Sequence, residues 1–362
     1  MKEKLSVLIF LLIIGGFFIA DIVITPPEIS MSERRPLAKL PELSFETVRT
    51  AEFMSKYETF AADSFAFRDT FRTIRAFIVF HVFRMTDKDG LYIGDSGAGK
   101  FEKINERSWL QTTEKIRTVG DTLQEAGLNV YYSIIPDKSI YSGRTFPGFD
   151  INSAREILSA ELPGFIFIDI SQSLKGGDFY RSDLHWSQPE IKAVADKLGN
   201  GMGFAVDFSR FSEVTAGDFK GVYAGQVALP MRADTMRYLT GSAITARYLD
   251  EKTLEWYEGD VYDLEAFKGR DPYDIFLKGP QPLIILENPN AASDRELYLF
   301  RDSFGSSIAP ILAEAYGKIT IIDLRYLDWR ALPMFIEFNE GADALFLYGS
   351  QILNNSTVLL VR

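Results

Sequence analysis

The chain has no cysteine, only two histidines and no long run of basic residues. The first absence removes disulfides, thiolate nucleophiles and cysteine-based zinc sites together, although it does not fix the compartment. The second leaves His81 and His185, too far apart in the chain to make a good metal-ligand pair, so no metal or other cofactor is expected. The third, with 39 basic against 50 acidic residues and a net charge of −11, repels phosphate backbones and argues against nucleic acid as a partner. Apolar side chains are plentiful: 46% of the 362 residues are hydrophobic and 14% aromatic, enough for one large domain with an appendage.

From Leu5 to Ile24 the only charge is Asp21. At ~1.5 Å per helical residue such a stretch spans the ~30 Å hydrocarbon layer. A cleaved signal would have a shorter apolar region and a small-x-small cleavage site, which Phe17 to Asp21 does not offer. Residues 1–24 are therefore expected to be an uncleaved single-pass anchor in membrane lipid. Lys2 and Lys4 before the span and Arg34, Arg35 and Lys39 after it leave the charge rule equivocal, while the short N-terminal tail favours an extracytoplasmic body.

Thr25-Pro26-Pro27 opens a stretch, residues 25–45, that reads as an extended linker, because proline disfavours helix at the residue before it. Residues 46–88 carry apolar side chains at three- and four-residue steps around Arg68, Arg72 and Arg75, which predicts a helical lead-in broken near Asp63. From 89 to 362 apolar runs alternate with helical patterns. Strands are expected at Asn129–Ile135, Phe165–Ile168, Leu297–Phe300, Ile319–Ile322 and Ala344–Tyr348, with helices ending near Gly127 and over Pro189–Leu198 and Ser306–Tyr316. This alternation implies an α/β fold, a largely parallel sheet with helices on its faces. Residues 204–278 break the pattern and read as a β-rich insertion containing a strand-like Arg237–Leu249.

Two short motifs carry chemistry: Asp183-Leu184-His185-Trp186, and Asp302-Ser303-Phe304-Gly305 behind Leu297–Phe300. A serine becomes a competent nucleophile when an imidazole takes its proton and a carboxylate fixes that imidazole's tautomer. Ser303 sits where a strand should end in a tight turn ahead of a helix that Ser306 could cap, close to backbone N–H groups that would bind an oxyanion. His185 is the plausible base, since His81 lies on the apolar run Ala76–Phe80. Asp183 is the preferred orienting acid and Asp302, next to the serine, its rival. Plain helix or turn caps are the alternative for both aspartates and for Ser303.

Gly94-Asp95-Ser96-Gly97-Ala98-Gly99-Lys100 imitates a phosphate loop, but Phe101 stands where Ser or Thr should hold magnesium, and the segment reads as a hairpin turn. Pro136-Asp137-Lys138 follows a strand, where α/β sheets place ligand crevices, so Lys138 or Tyr141 could face substrate, with a plain loop as the alternative.

In order along the chain, Ser32-Glu33-Arg34-Arg35-Pro36-Leu37-Ala38, Ala62 to Asp69, Pro136-Asp137-Lys138, Ser182 to Trp186, Asp302-Ser303-Phe304 and Ile322 to Tyr326 resemble the bacterial DHHW family. That family is similar to the SGNH-hydrolase-like alginate O-acetylation proteins. The resemblance implies a flavodoxin-like SGNH-type fold and O-acyl chemistry on cell-surface polysaccharide. By the resemblance the catalytic histidine of the related acetyltransferases maps onto His185, which keeps the triad Ser303, His185 and Asp183; Trp186 beside it and Arg325, matched by pattern only and open in its role, join Lys138 and Tyr141 as substrate-side candidates. The family's Asp-His-His-Trp is here Asp183-Leu184-His185-Trp186, so its middle histidine is absent. One span cannot carry acetyl groups across a membrane, so a transferase would need a multi-span acyl-donor protein as partner. A non-catalytic polysaccharide-binding or assembly protein on the same fold is the competing expectation.

Overall fold

Strands with alternating faces assemble the sheet that positions the site. The structure is a computed structural model that describes residues 2–144, 150–241 and 243–361. Eight strands form the main sheet: β1 (Asn129–Ile135), β2 (Ile166–Phe167), β3 (Thr245–Leu249), β4 (Trp256–Gly259), β5 (Leu283–Glu287), β6 (Glu296–Arg301), β7 (Lys318–Ile322) and β8 (Asp343–Gly349). Their order is β4-β3-β5-β7-β6-β8-β1-β2. From β7 to β2 all neighbours are parallel, whereas β4, β3, β5 and β7 pair antiparallel.

Successive side chains of a strand point to opposite faces, and the parallel strands here are apolar on both. Leu297 and Leu299 of β6 join one core with Ile319, Ile321, Leu345 and Leu347. Tyr298 and Phe300 join the other with Tyr132, Ile322 and Phe346. The first core is closed by helices Lys192–Met202 and Ser303–Leu312, through residues such as Leu198 and Ile308. The second is closed by Glu106–Glu125 and Ile151–Glu161, through Trp109, Val119 and Leu158. The result is a three-layer α/β sandwich, as the sequence pattern predicts.

Several elements differ from expectation. The strand-like Arg237–Leu249 is two strands: Asp234–Thr240 pairs with Ser212–Phe219 in a separate hairpin, while Thr245–Leu249 is β3 of the main sheet. The helix after the serine begins at Ser303 rather than Ser306, because Asp302 caps it, and it ends at Leu312. The helix expected from Pro189 starts at Lys192, after a single turn at Gln188–Glu190.

Residues 1–89 together with Val222–Met231 form a separate unit. Helix Lys2–Val23 contains a stretch, Lys4–Val23, long and apolar enough to cross a membrane. Ile29–Ser30 and Arg35–Pro36 pair antiparallel within the stretch expected to be extended. Helices Phe45–Arg49, Glu52–Ser64 and Arg68–Phe77 follow, the last continuing into a wider turn at Ile78–Val82.

Candidate active site

The parallel strands end along one edge of the sheet, with Arg301 of β6 beside Leu347 of β8 and Gly349 of β8 beside Ile135 of β1. Ser303 emerges at this edge, half-buried at the first position of its helix. Asp302 holds the turn in place: one carboxylate oxygen accepts from Phe304 N–H at 3.0 Å and the other from Gly349 N–H at 2.7 Å. Both oxygens of this acid are thus committed to backbone. Burial raises the Asp302 pKa above the usual carboxylate range. The following glycine is required by packing, since a Cβ on Gly305 would lie 2.4 Å from Cβ of Arg301.

Opposite the serine, residues 178–187 fold back on themselves. Phe179 bridges Trp186, Tyr180 N–H donates to His185 O at 3.0 Å, and Ser187 N–H donates to Asp178 O at 2.7 Å. At the tip, Asp183 Oδ1 accepts the His185 backbone N–H at 3.1 Å, a local turn that turns the side chain back onto the imidazole. The same oxygen accepts from His185 Nδ1 at 2.7 Å, and His185 Nε2 lies 2.7 Å from Ser303 Oγ. Asp183, His185 and Ser303 therefore form one continuous hydrogen-bonded chain, and Asp302 takes no part in it.

The imidazole is held on its faces as well. Tyr273 stacks on it with centroids 3.8 Å apart and planes within 6°, and Phe304 packs at 5.0 Å. The Tyr273 hydroxyl and the Trp186 indole each donate to Ser307 Oγ at 2.7 Å, and Ser307 donates onward to Phe304 O at 3.2 Å. The hydroxyl one turn beyond the serine thus ties the stacking ring, the histidine's neighbour and the serine's helix together.

Two of the residues expected on the substrate side are interior scaffold. Lys138 is buried, with its ammonium donating to the carbonyls of Ala98 at 2.8 Å, Tyr180 at 2.5 Å and Asp183 at 3.3 Å. Desolvation lowers its pKa to about 8. Trp186 is fully buried in the core with its one donor spent on Ser307. Tyr141 packs on Phe179 and donates to Ser171 O at 2.8 Å, so its hydroxyl is spent on backbone. Arg325 remains partly exposed, its guanidinium forked onto Asp323 at 2.8 and 2.6 Å. Asp323 also receives the fully buried Arg301 at 3.2 Å.

The phosphate-loop lookalike is a strand pair, Leu91–Gly94 with Gly97–Lys100, that braces the site. Ala98 N–H donates to Arg181 O at 2.7 Å, and Ala98 O receives Lys138. Asp234, absent from the motif reading, accepts the N–H groups of Arg181 at 2.7 Å and Ser182 at 2.8 Å. A cavity of about 540 Å³ opens elsewhere in this unit, against β3 and β4, lined by Tyr238, Arg247, Asp260 and Tyr262 rather than by Ser303 or His185.

With this geometry in view, the solved structures of similar fold can be placed. A DHHW family protein from Eubacterium siraeum superposes with a TM-score of 0.61 at 19% identity, covering 74% of this chain and 93% of that one. The chain shares the fold of that protein. PatB1 from Bacillus cereus, in a structure with a sulfonyl adduct, gives a TM-score of 0.59 at 16% identity over 73% of this chain and 95% of that one. No protein-family model and no curated protein matches the chain. Where the DHHW motif has its middle histidine, Leu184 packs partly buried against the core.

Proposed function

We propose that the chain is a serine O-acyltransferase or acetylesterase acting on cell-surface polysaccharide, anchored in the cell membrane by its N-terminal helix with the α/β unit extracytoplasmic. The observation that carries this reading is the unbroken contact from Asp183 through His185 to Ser303, with 2.7 Å at each step. That is the distance at which a proton is shared as a hydroxyl attacks.

In the first half-reaction His185 Nε2 takes the Ser303 proton while Oγ bonds to the acyl carbonyl carbon, whose π electrons move to oxygen. The Ser303 N–H, at the first helical position where no intrahelical acceptor exists, is the donor assigned to that oxyanion. The next N–H, of Phe304, is held by Asp302 and serves the turn instead. As the carbonyl reforms, the bond to the leaving group breaks and His185 returns the proton to it, leaving acyl-Ser303. A sugar hydroxyl or water then gives its proton to His185 and attacks the acyl carbon; as the bond from that carbon to Oγ breaks, His185 returns the proton to Ser303 Oγ and the acylated product leaves. Asp183 keeps the proton on Nδ1 throughout and stabilises the imidazolium. For transfer rather than hydrolysis, the acyl group would be delivered by a multi-span membrane partner. Arg325, partly exposed at the same sheet edge, is the remaining substrate-side side chain in this reading.

The test is hydrolysis of an aryl acetate by the detergent-solubilised chain, with Ser303→Ala and His185→Ala alongside. Loss of turnover in both, together with acetyl or sulfonyl mass trapped on Ser303, is expected. Undiminished hydrolysis in either variant would end the catalytic reading and leave the fold with a binding role.

A further inference from the structure

The N-terminal unit carries an apolar face with no counterpart in the α/β core. Along Arg68–Phe77 and the wider turn after it, Phe67, Phe71, Ile74 and Ile78 recur at steps of four, three and four, and all are exposed. Phe77, Val82 and Phe83 are exposed as well, Phe83 to 69%. The opposite side of this helix is engaged: Arg68 and Arg72 pair with Glu33, Arg72 also donates to Gly225 O, and Ala76 is fully buried. One side is packed and ionic, the other bare and hydrophobic, which is the pattern of a helix lying in a membrane surface.

What covers the bare side follows from what touches its beginning. Phe17 of the N-terminal helix packs against Phe65 at 5.7 Å, Phe71 at 5.5 Å and Phe67 at 6.3 Å. Phe17 stands six residues before the end of the apolar stretch at Val23, which is about 9 Å along a helix. The turn between the two later helices therefore sits at the depth of the last turns of the span. Backbone at such depth needs a partner other than water. Ala66 N–H has one: it donates to Asp21 at 2.7 Å, the single carboxylate in the apolar run. An acid in a membrane-spanning segment and a non-helical turn beside it account for each other.

We infer that the face from Phe67 to Phe83 lies in the headgroup and upper acyl layer of the bilayer that the N-terminal helix spans, as an in-plane helix continuous with the anchor. This rests on the anchoring reading above and adds to it a second, lateral contact with lipid.

The absence of cysteine makes the test direct. The full-length chain carries one cysteine at a time, Leu12→Cys, Ile78→Cys, Phe83→Cys or Glu251→Cys. It is labelled with a nitroxide in vesicles of phosphatidylethanolamine and phosphatidylglycerol, and collisions with oxygen and with a water-soluble nickel chelate are compared. Position 12 reports the anchor and exposed Glu251 the aqueous reference. The expected result is an oxygen-to-nickel ratio at positions 78 and 83 several-fold above that at 251 and below that at 12. If 78 and 83 match 251 while 12 is lipid-immersed, the in-plane helix is wrong and the anchor stands. If 12 itself meets the nickel chelate, the anchor is wrong. Shielding of 78 and 83 from both reagents would assign the face to protein instead of lipid.

Discussion

Around Ser303 the protein holds its buried carboxylates Asp137 and Asp302 with backbone N–H groups, whereas the N-terminal unit gathers arginines about Asp63 and leaves its large apolar side chains outside. Asp137 and Asp63 show the difference. Asp137, after β1, is almost fully desolvated, and although its carboxylate accepts Ser139 N–H at 2.7 Å, burial dominates and raises its pKa to about 6. Asp63 is equally hidden but meets the Arg35 guanidinium at 2.7 Å through both oxygens, with Arg68 alongside, and its pKa falls to about 2. A buried acid beside backbone donors is pushed toward its neutral form, and one inside an ion cluster is locked in its charged form. At these two acids the α/β unit relies on directional bonds from backbone and the N-terminal unit on shared charge, as suits a body whose apolar side chains face outward.

The largest effect that would break this contrast is on turnover. Ser303→Ala and His185→Ala are expected to lower kcat/KM for an aryl acetate by on the order of 10³ or more, with the melting temperature held in Ser303→Ala, because the chain of contacts acts as a unit. A Ser303→Ala variant that lost melting temperature but kept its activity would instead mean that the polar chain is scaffold like its surroundings.

Next in size is the pH response of Asp137. Its folded pKa is raised, so its stabilising contribution is complete below the unfolded value of 3.8 and is lost as pH rises through about 6. At about 1.4 kcal/mol per pH unit of displacement this is roughly 3 kcal/mol. Asp137→Asn keeps the cap on Ser139 and should flatten unfolding free energy between pH 4 and 6, where the parent declines. Asp63 has the opposite sign: its folded pKa is lowered, so its contribution is present above 3.8 and is lost as pH falls toward 2. Asp63→Ala leaves Arg35, Arg68 and Glu33 without their centre and should cost about 2–3 kcal/mol. The figure is below the ~3–5 kcal/mol of a fully buried pair because Arg35 is itself 41% exposed. Faster amide exchange confined to residues 52–77 would check it, and unchanged exchange there would dismiss the ion cluster as the source of cohesion.

How far such a design can be read from sequence depends on how local its causes are. Strand β1 is legible residue for residue because Gly127 and Pro136 bracket a run rich in β-branched and aromatic side chains. The spacing of Asp183 to His185 is legible because the turn that joins them is made by those two residues alone. The choice between Asp183 and Asp302 needed Gly349, far along the chain, to occupy the second oxygen of Asp302. Lys138 reads as a ligand-facing cation after a strand, and only the convergence of Ala98, Tyr180 and Asp183 carbonyls turns it inward. Antiparallel β5 was missed because a short apolar run such as Leu283–Leu286 does not by itself declare strand or direction. Asp234 and Tyr273 reach the site from tens of residues away with no motif to mark them.

Tyr273 supplies the smallest and sharpest test of the polar scaffold. Its ring faces His185 and its hydroxyl faces Ser307, so Tyr273→Phe removes one hydrogen bond while leaving the stack. Ser307 Oγ keeps the Trp186 indole as donor and Phe304 O as acceptor, so no buried group is stranded. The expected cost is about 1 kcal/mol in stability, with kcat/KM lowered by less than about tenfold and its pH profile unmoved, since ring and imidazole keep their geometry. If Tyr273→Phe instead fell as far as Ser303→Ala, the hydroxyl would be touching the reacting atoms. The boundary between the proton-sharing chain and its scaffold would then have to be redrawn to include it.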